Sequence, residues 1–315
     1  MGDAAAAFPA ATLPWIDLST GINPHAWSGP RADFAALRRL PDPAETASLE
    51  AAAAQAFGVA DPACVVATPG AEFGLRLLPK LTGAPSVAIV SPTYGGHAEA
   101  WANAGCAIRP IAWGDDAEDA AALVIVNPNN PDGRAVPAEA VKRLATPSQW
   151  LIVDESFVEA MPGLSVAAAA GKRMIVLRSF GKFYGLAGVR LGFLVAAPAL
   201  ATKARQMLGD WPVSAEAIAA GRSAYADPAW AEATRARLQA DAARLDTLLS
   251  NAGMLVLGGT PLFRLCGSSG AETWFRRLAG HGILVRPFEA QPDWLRFGLP
   301  GNEAEWNRLE EALHG

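Results

Sequence analysis

Short apolar runs alternate with amphipathic stretches along the first two thirds of the chain. The runs are CVVAT (64–68), SVAIV (86–90), CAIRPIAW (106–113), AALVIV (121–126), WLIVDESF (150–157) and MIVL (174–177). Near-continuous apolar runs of this length predict strands buried on both faces. Helix-compatible sequence follows each run, and the segment after Pro43 predicts a helix ended by Gly58. Alternating β and α of this kind implies an α/β fold with a mostly parallel sheet between two helical layers. From about Ala197 the pattern changes. Residues 198–250 read as mainly helical. Short strands (254–257, 261–266, 283–286, 294–299) then alternate with helices (270–281, 302–313), which predicts a smaller α+β domain. Residues 15–31, WIDLSTGINPHAWSGPR, read as an irregular arm that docks through Trp15, Ile16, Leu18 and Trp27. The expected organisation is an arm over 1–30, a large domain over 31–200 and a small C-terminal domain over 201–315. No internal repeat or low-complexity linker interrupts it.

Composition narrows the classes. The chain has 315 residues, 51% of them hydrophobic and 18% charged, with a net charge of −5. That is ample for a large core. Mild acidity without a basic run argues against nucleic acid. Three distant cysteines, Cys64, Cys106 and Cys266, read as free thiols of a reducing compartment. Four histidines without a ligand cluster argue against a metal. No apolar stretch reaches the roughly 18 residues of a membrane span. The alanine-rich start carries Asp3, Pro9 and Pro14 and no basic region, so it does not read as a signal peptide. A cytoplasmic protein is the expectation.

The chemistry concentrates at strand ends. Arg178, Ser179 and Lys182 follow the run at 174–177, with Gly185, Gly188, Arg190 and Gly192 close behind. A lysine amine in such a place can form an imine, and Ser179 and Arg190 can hold a phosphate. The Ser-x-x-Lys spacing also occurs in serine β-lactamases, but their Ser-Asp-Asn and Lys-Thr-Gly motifs are absent. Pro69-Gly70 before a helix offers backbone N–H groups to phosphate. Asp154-Glu155 ends one run, and Asn127-Pro128-Asn129-Asn130-Pro131 follows another.

Taken in order, Gly70-Ala71-Glu72, Tyr94, Asn130-Pro131, Asp154, Ser179-x-x-Lys182 and Arg190 resemble the fold-type I pyridoxal-phosphate enzymes, the class I/II aminotransferases, over nearly the whole chain. The resemblance implies an aspartate aminotransferase-like three-layer αβα large domain. It implies pyridoxal 5'-phosphate as a Schiff base on Lys182, with Asp154 at the pyridine nitrogen. Asn130 would bond the phenolic oxygen, Tyr94 would stack on the ring, and Ser179, Arg190 and the amides of Gly70, Ala71 and Glu72 would hold the phosphate. Arg296, in LRFGLP, would receive the substrate carboxylate. A homodimer is implied too.

The arm, DLSTGINPHAW (17–27), together with RSFGKFYGLAGVRLGF, narrows the resemblance to the cobalamin-pathway threonine-phosphate decarboxylases, which sit beside the histidinol-phosphate aminotransferases. This makes Gly21, Ile22 and Asn23 substrate-side candidates and matches Arg286 to a cation that meets a substrate phosphate. Phe157 stands where many aminotransferases have tyrosine. Departures are the missing His-Gly-Gly segment, Leu40 in place of a tyrosine, and a short connection between Arg286 and Arg296. His25 and His97 read as satisfied or surface histidines. The expected reaction is decarboxylation of O-phospho-L-threonine to 1-amino-2-propanol phosphate. Transamination of the histidinol-phosphate or aromatic type is the alternative, and a non-catalytic relative is the third reading.

Overall fold

The computed structural model describes residues 2–314; residues 1 and 315, the outermost of the expected arm and small domain, lie outside the described residues. In chain order the strands are β1 (Ile16–Asp17), β2 (Val65–Thr68), β3 (Ser86–Val90), β4 (Ala107–Ile111), β5 (Ala122–Val126), β6 (Trp150–Asp154), β7 (Met174–Ser179), β8 (Gly192–Val195), β9 (Leu255–Thr260), β10 (Phe263–Gly267), β11 (Ile283–Leu284), β12 (Arg286–Pro287) and β13 (Trp294–Phe297). The chain divides into two compact units. One comprises Trp27–Asn130 and Ala135–Ala231. The other comprises the described residues up to Ala26, Pro131–Arg134 and those from Glu232 onward.

The first unit is built on a seven-stranded sheet of order β2-β8-β7-β6-β5-β3-β4. Strands β3 to β7 pair in parallel, and β8 runs antiparallel to both β7 and β2. β2 therefore points the same way as β7. The carboxyl ends of β2, β3, β5, β6 and β7, together with the start of β8, fall on one edge of the sheet. Open α/β sheets bind ligands at that edge.

Both faces of the sheet are covered. In β7, Ile175 and Leu177 join one core with Leu75, Leu78 and Leu81 of the helix Ala71–Thr82 and with Trp101, Ala201 and Ala204. On the next residue along, Arg178 reaches the opposite face and lies over the Phe57 ring at 4.1 Å. Phe57 closes the helix Pro43–Phe57, which Asp42 and Glu45 cap reciprocally and Gly58 terminates. Each large apolar side chain so buried contributes about 1.5–3 kcal/mol.

The second unit carries an antiparallel sheet of order β12-β13-β10-β9. The arm is less irregular than its composition suggests. Its β1 pairs in parallel with β11, and Leu18 N–H continues the ladder to the Leu284 carbonyl. The run expected as one strand over 283–286 splits into β11 and β12, which pair with different partners. β8 coincides with the apolar run Phe193-Leu194-Val195-Ala196, which the sequence reading did not separate from the glycine-rich motif before it.

Candidate active site

Asp154 closes β6, and its carboxylate is buried. Oδ1 accepts from the Ser156 amide at 2.9 Å, and Oδ2 lies 3.0 Å from His97 Nε2. Burial alone would push this carboxyl's pKa up. The His97 contact and the Ser156 bonds outweigh it, and the net direction is down. The acid is thus kept ionised in a dry setting. His97 is buried but only half satisfied: Nε2 meets the Asp154 carboxylate, while Nδ1 is buried without a hydrogen-bond partner. Nothing in the local pattern of GHAEAWAN signals that, since the contact spans 57 positions.

Lys182 lies in the short helix Phe180–Phe183 that begins where β7 ends. Its Nζ stands 4.7 Å from the centroid of the buried Phe157 ring, three residues beyond Asp154. A π face at that distance attracts an ammonium and offers it no lone pair. Ser179 is the N-cap residue of the same helix, yet its hydroxyl makes no capping bond.

Gly70 begins the helix Ala71–Thr82 with φ +88°, a backbone region that L side chains rarely adopt, and no side chain caps that terminus. A Cβ on Gly70 would stand 2.6 Å from Arg190 Nη2, so the guanidinium packs directly over the turn. Arg190 itself has φ +57°. At Gly192 a Cβ would collide with the Ala71 amide nitrogen, which holds β8 against the same terminus. The bare N–H end of a 12-residue helix under a guanidinium is an anion cradle.

Tyr94 follows β3, and its hydroxyl donates to Glu72 Oε2 at 3.1 Å. In the loop after β5, Asn127 exchanges two bonds with Val136, and Asn129 bonds the Pro92 carbonyl and the Thr93 hydroxyl. Two of the three asparagines thus shape the loop, and half-buried Asn130 stands beside them at the sheet's carboxyl edge. Behind the edge lies a buried ion group that sequence reasoning missed. Arg178 bonds Glu155 at 3.0 Å and Glu159 at 2.8 Å, joining the residue after Asp154 to the one before Ser179. Burial pushes the Glu155 pKa up, while the two carboxylates raise that of Arg178 despite its burial.

In the second unit, Arg286 of β12 sits directly opposite Arg296 of β13. Arg296 is buried, and its Nη2 donates to the Ser19 carbonyl at 2.8 Å. Burial first, then the charge of Arg286, lowers its pKa to about 10. The arm reaches the same strand end, where Gly298 N–H bonds the Leu18 carbonyl. Gly21, Ile22 and Asn23 follow within a few residues, and buried Asn23 accepts from the His25 amide.

Residues 14–313 match the family model described as aminotransferase class I and II. The chain belongs to this family. Its cofactor is pyridoxal 5'-phosphate. The chain is 39% identical over 311 residues to a threonine-phosphate decarboxylase of Pseudomonas aeruginosa, covering 96% of this chain and 92% of that one. A threonine-phosphate decarboxylase of a Sinorhizobium species is also 39% identical, over 99% and 95% of the two chains. In fold, the crystal structure of histidinol-phosphate aminotransferase from Sinorhizobium meliloti in complex with pyridoxal-5'-phosphate superimposes with a TM-score of 0.83. It has 21% identity and covers 99% of this chain and 92% of that one.

The residues of this aminotransferase-family chain fit the cofactor. The cradle at Gly70, Ala71, Glu72, Ser179 and Arg190 matches a phosphate. The ionised, buried Asp154 matches a protonated ring nitrogen. Both stand at the carboxyl edge that also carries Lys182.

Proposed function

We propose that this enzyme decarboxylates O-phospho-L-threonine to 1-amino-2-propanol phosphate, the precursor of the cobalamin side chain, in the cytoplasm. The observation that carries the reading is the facing pair Arg286 and Arg296. Two guanidiniums on neighbouring strands, one buried, repel each other until anions arrive. A substrate with a carboxylate and a phosphate supplies two. The 39% identity to two threonine-phosphate decarboxylases over nearly the full chain supports the same substrate.

Pyridoxal phosphate supplies an electron sink for charge at the substrate's α-carbon. Lys182 provides the amine that ties the cofactor down. Lys182 Nζ would also deliver the proton that the α-carbon takes up when CO2 leaves. Asp154, kept ionised by His97, would hold a proton at the ring nitrogen. Asn130 would bond the phenolic oxygen, Tyr94 would cover the ring face, and Ser179, Arg190 and the amides of Gly70 to Glu72 would hold the phosphate. Arg296 binds the carboxylate in a bidentate pair and Arg286 the substrate phosphate. Gly21, Ile22 and Asn23 of the arm are the further substrate-side residues in this reading.

We also propose a homodimer. Phe34, Leu37 and Leu40 are large apolar side chains left exposed close together in the chain, which a second copy would cover.

The assay is incubation of the yellow protein with phosphothreonine in the absence of any 2-oxo acid. Release of CO2 with formation of the amine is the expected result. Turnover only after an oxo acid is added would establish transamination instead, and inertness toward both would refute catalysis.

A further inference from the structure

Glu72 occupies the first turn of the helix Ala71–Thr82, the end at which an anion is held. A carboxylate there would oppose a phosphate if it were turned toward it. Its oxygens are engaged elsewhere. Oε2 accepts from the Tyr94 hydroxyl at 3.1 Å, and Oε1 pairs with Arg76 Nη2 at 2.7 Å. Arg76 also reaches Glu99 at 3.7 Å. The Tyr94 ring is 42% exposed, and two neighbours flank it. It packs edge-on to His97, centroids 6.5 Å apart, and lies across Gly96, where a Cβ would run into it. The phenol is a dependable donor. Its pKa is pushed up to about 12 by burial and then by Glu72, with Asp154 and Glu99 adding to the effect.

We propose that Glu72 is a positioning residue: its carboxylate, anchored by Arg76, pins the Tyr94 ring in the attitude from which it covers the cofactor ring. This rests on the reading of Lys182 and Tyr94 as cofactor-binding residues. The same two bonds direct the carboxylate charge onto a phenol and a guanidinium, leaving the backbone N–H groups of the terminus to the phosphate. Without the clamp the ring keeps its place in the chain but gains freedom about χ1 and χ2, and ordering it again on binding weakens the complex.

The test compares Glu72→Gln, which still accepts a hydrogen bond, with Glu72→Met, which does not. Both remove the charge, so any change in repulsion is common to the pair. The readouts are the dissociation constant of pyridoxal phosphate from the apo protein and the visible circular dichroism of the bound form, which reports ring attitude. Expected is a roughly three- to tenfold weaker affinity for Glu72→Met than for Glu72→Gln, with an altered dichroic band. In a Tyr94→Phe background that difference should vanish. Equal affinities and equal bands for the two variants would overturn the proposal. So would a difference that persists undiminished without the Tyr94 hydroxyl. Failure of the wild-type protein to form a borohydride-reducible adduct at Lys182 is a separate result; it would overturn the cofactor-site reading and the clamp with it.

Discussion

His97 Nε2 and Asp154 Oδ2 stand 3.0 Å apart, with both side chains shut away from solvent. His97 comes from the helix Gly96–Asn103 and Asp154 from the end of β6, so a helix on the face of the sheet sets the charge state of a group at its edge. Replacing His97 by Phe leaves the carboxylate buried with one partner fewer. A hydrogen bond to a charged group is worth about 1.5–3 kcal/mol. The expected outcome is a roughly 10- to 100-fold fall in kcat/KM together with weaker cofactor binding, whereas His97→Asn, which retains a donor, should lose less. Steady-state CO2 release and absorbance titration of the apo protein measure both.

The same pair fixes a pH window. The folded-state pKa of Asp154 lies below its unfolded value, so its charged form favours the fold. That stabilisation is complete above the unfolded pKa of about 3.9 and is lost as pH falls through the lower, folded value. Asp154→Asn should therefore melt earlier than wild type by a constant margin through neutral pH, and the margin should close below about pH 4. Calorimetric melting of the two apo proteins across pH 3 to 8 is the measurement.

Gly192 is held against the Ala71 amide with no room for a methyl group. Gly192→Ala must push β8 away from the helix terminus proposed to cradle the phosphate. Overpacking of this kind costs about 1–3 kcal/mol. A lower urea midpoint and a cofactor affinity reduced at least tenfold are expected, and a variant with unchanged affinity would contradict the cradle as drawn.

Arg286 and Arg296 predict two effects of opposite sign. Like charges directly opposite in a sheet are destabilising by about 0.2–1 kcal/mol. Arg286→Gln should therefore raise the melting temperature of the substrate-free protein slightly. The same change should raise KM for phosphothreonine more than tenfold while leaving kcat closer to wild type. Thermal shift and kinetics on one protein sample distinguish this from a plain surface arginine, whose removal would move neither.

Much of this was legible because the decisive groups sit where apolar runs stop. Asp154 and Ser179-x-x-Lys182 each follow a buried strand, and the parallel sheet gathers strand ends on one edge. Gly70 announced its turn through the Pro-Gly pair before an amphipathic helix. What escaped were contacts between positions far apart in sequence that carry no period of their own. His97 bonds Asp154 across 57 positions, and Arg178 bonds Glu155 across 23. Both were hidden inside segments whose neighbours looked like ordinary helix and strand. The arm's β1 was missed because two residues are too few for alternation to show, and its pairing with β11 is set from the other end of the chain.

The buried group of Arg178, Glu155 and Glu159 ties the positions available to change into a knot. Removing the guanidinium alone strands two carboxylates, and removing one carboxylate alone lets the strand ends at Asp154 and Ser179 lose a cross-brace. Single steps here cost about 3–5 kcal/mol, while a concerted apolar replacement of all three can be close to neutral. Mutational drift at these positions must therefore proceed in company, and engineers who wish to loosen or stiffen the catalytic edge have to move the trio as one unit.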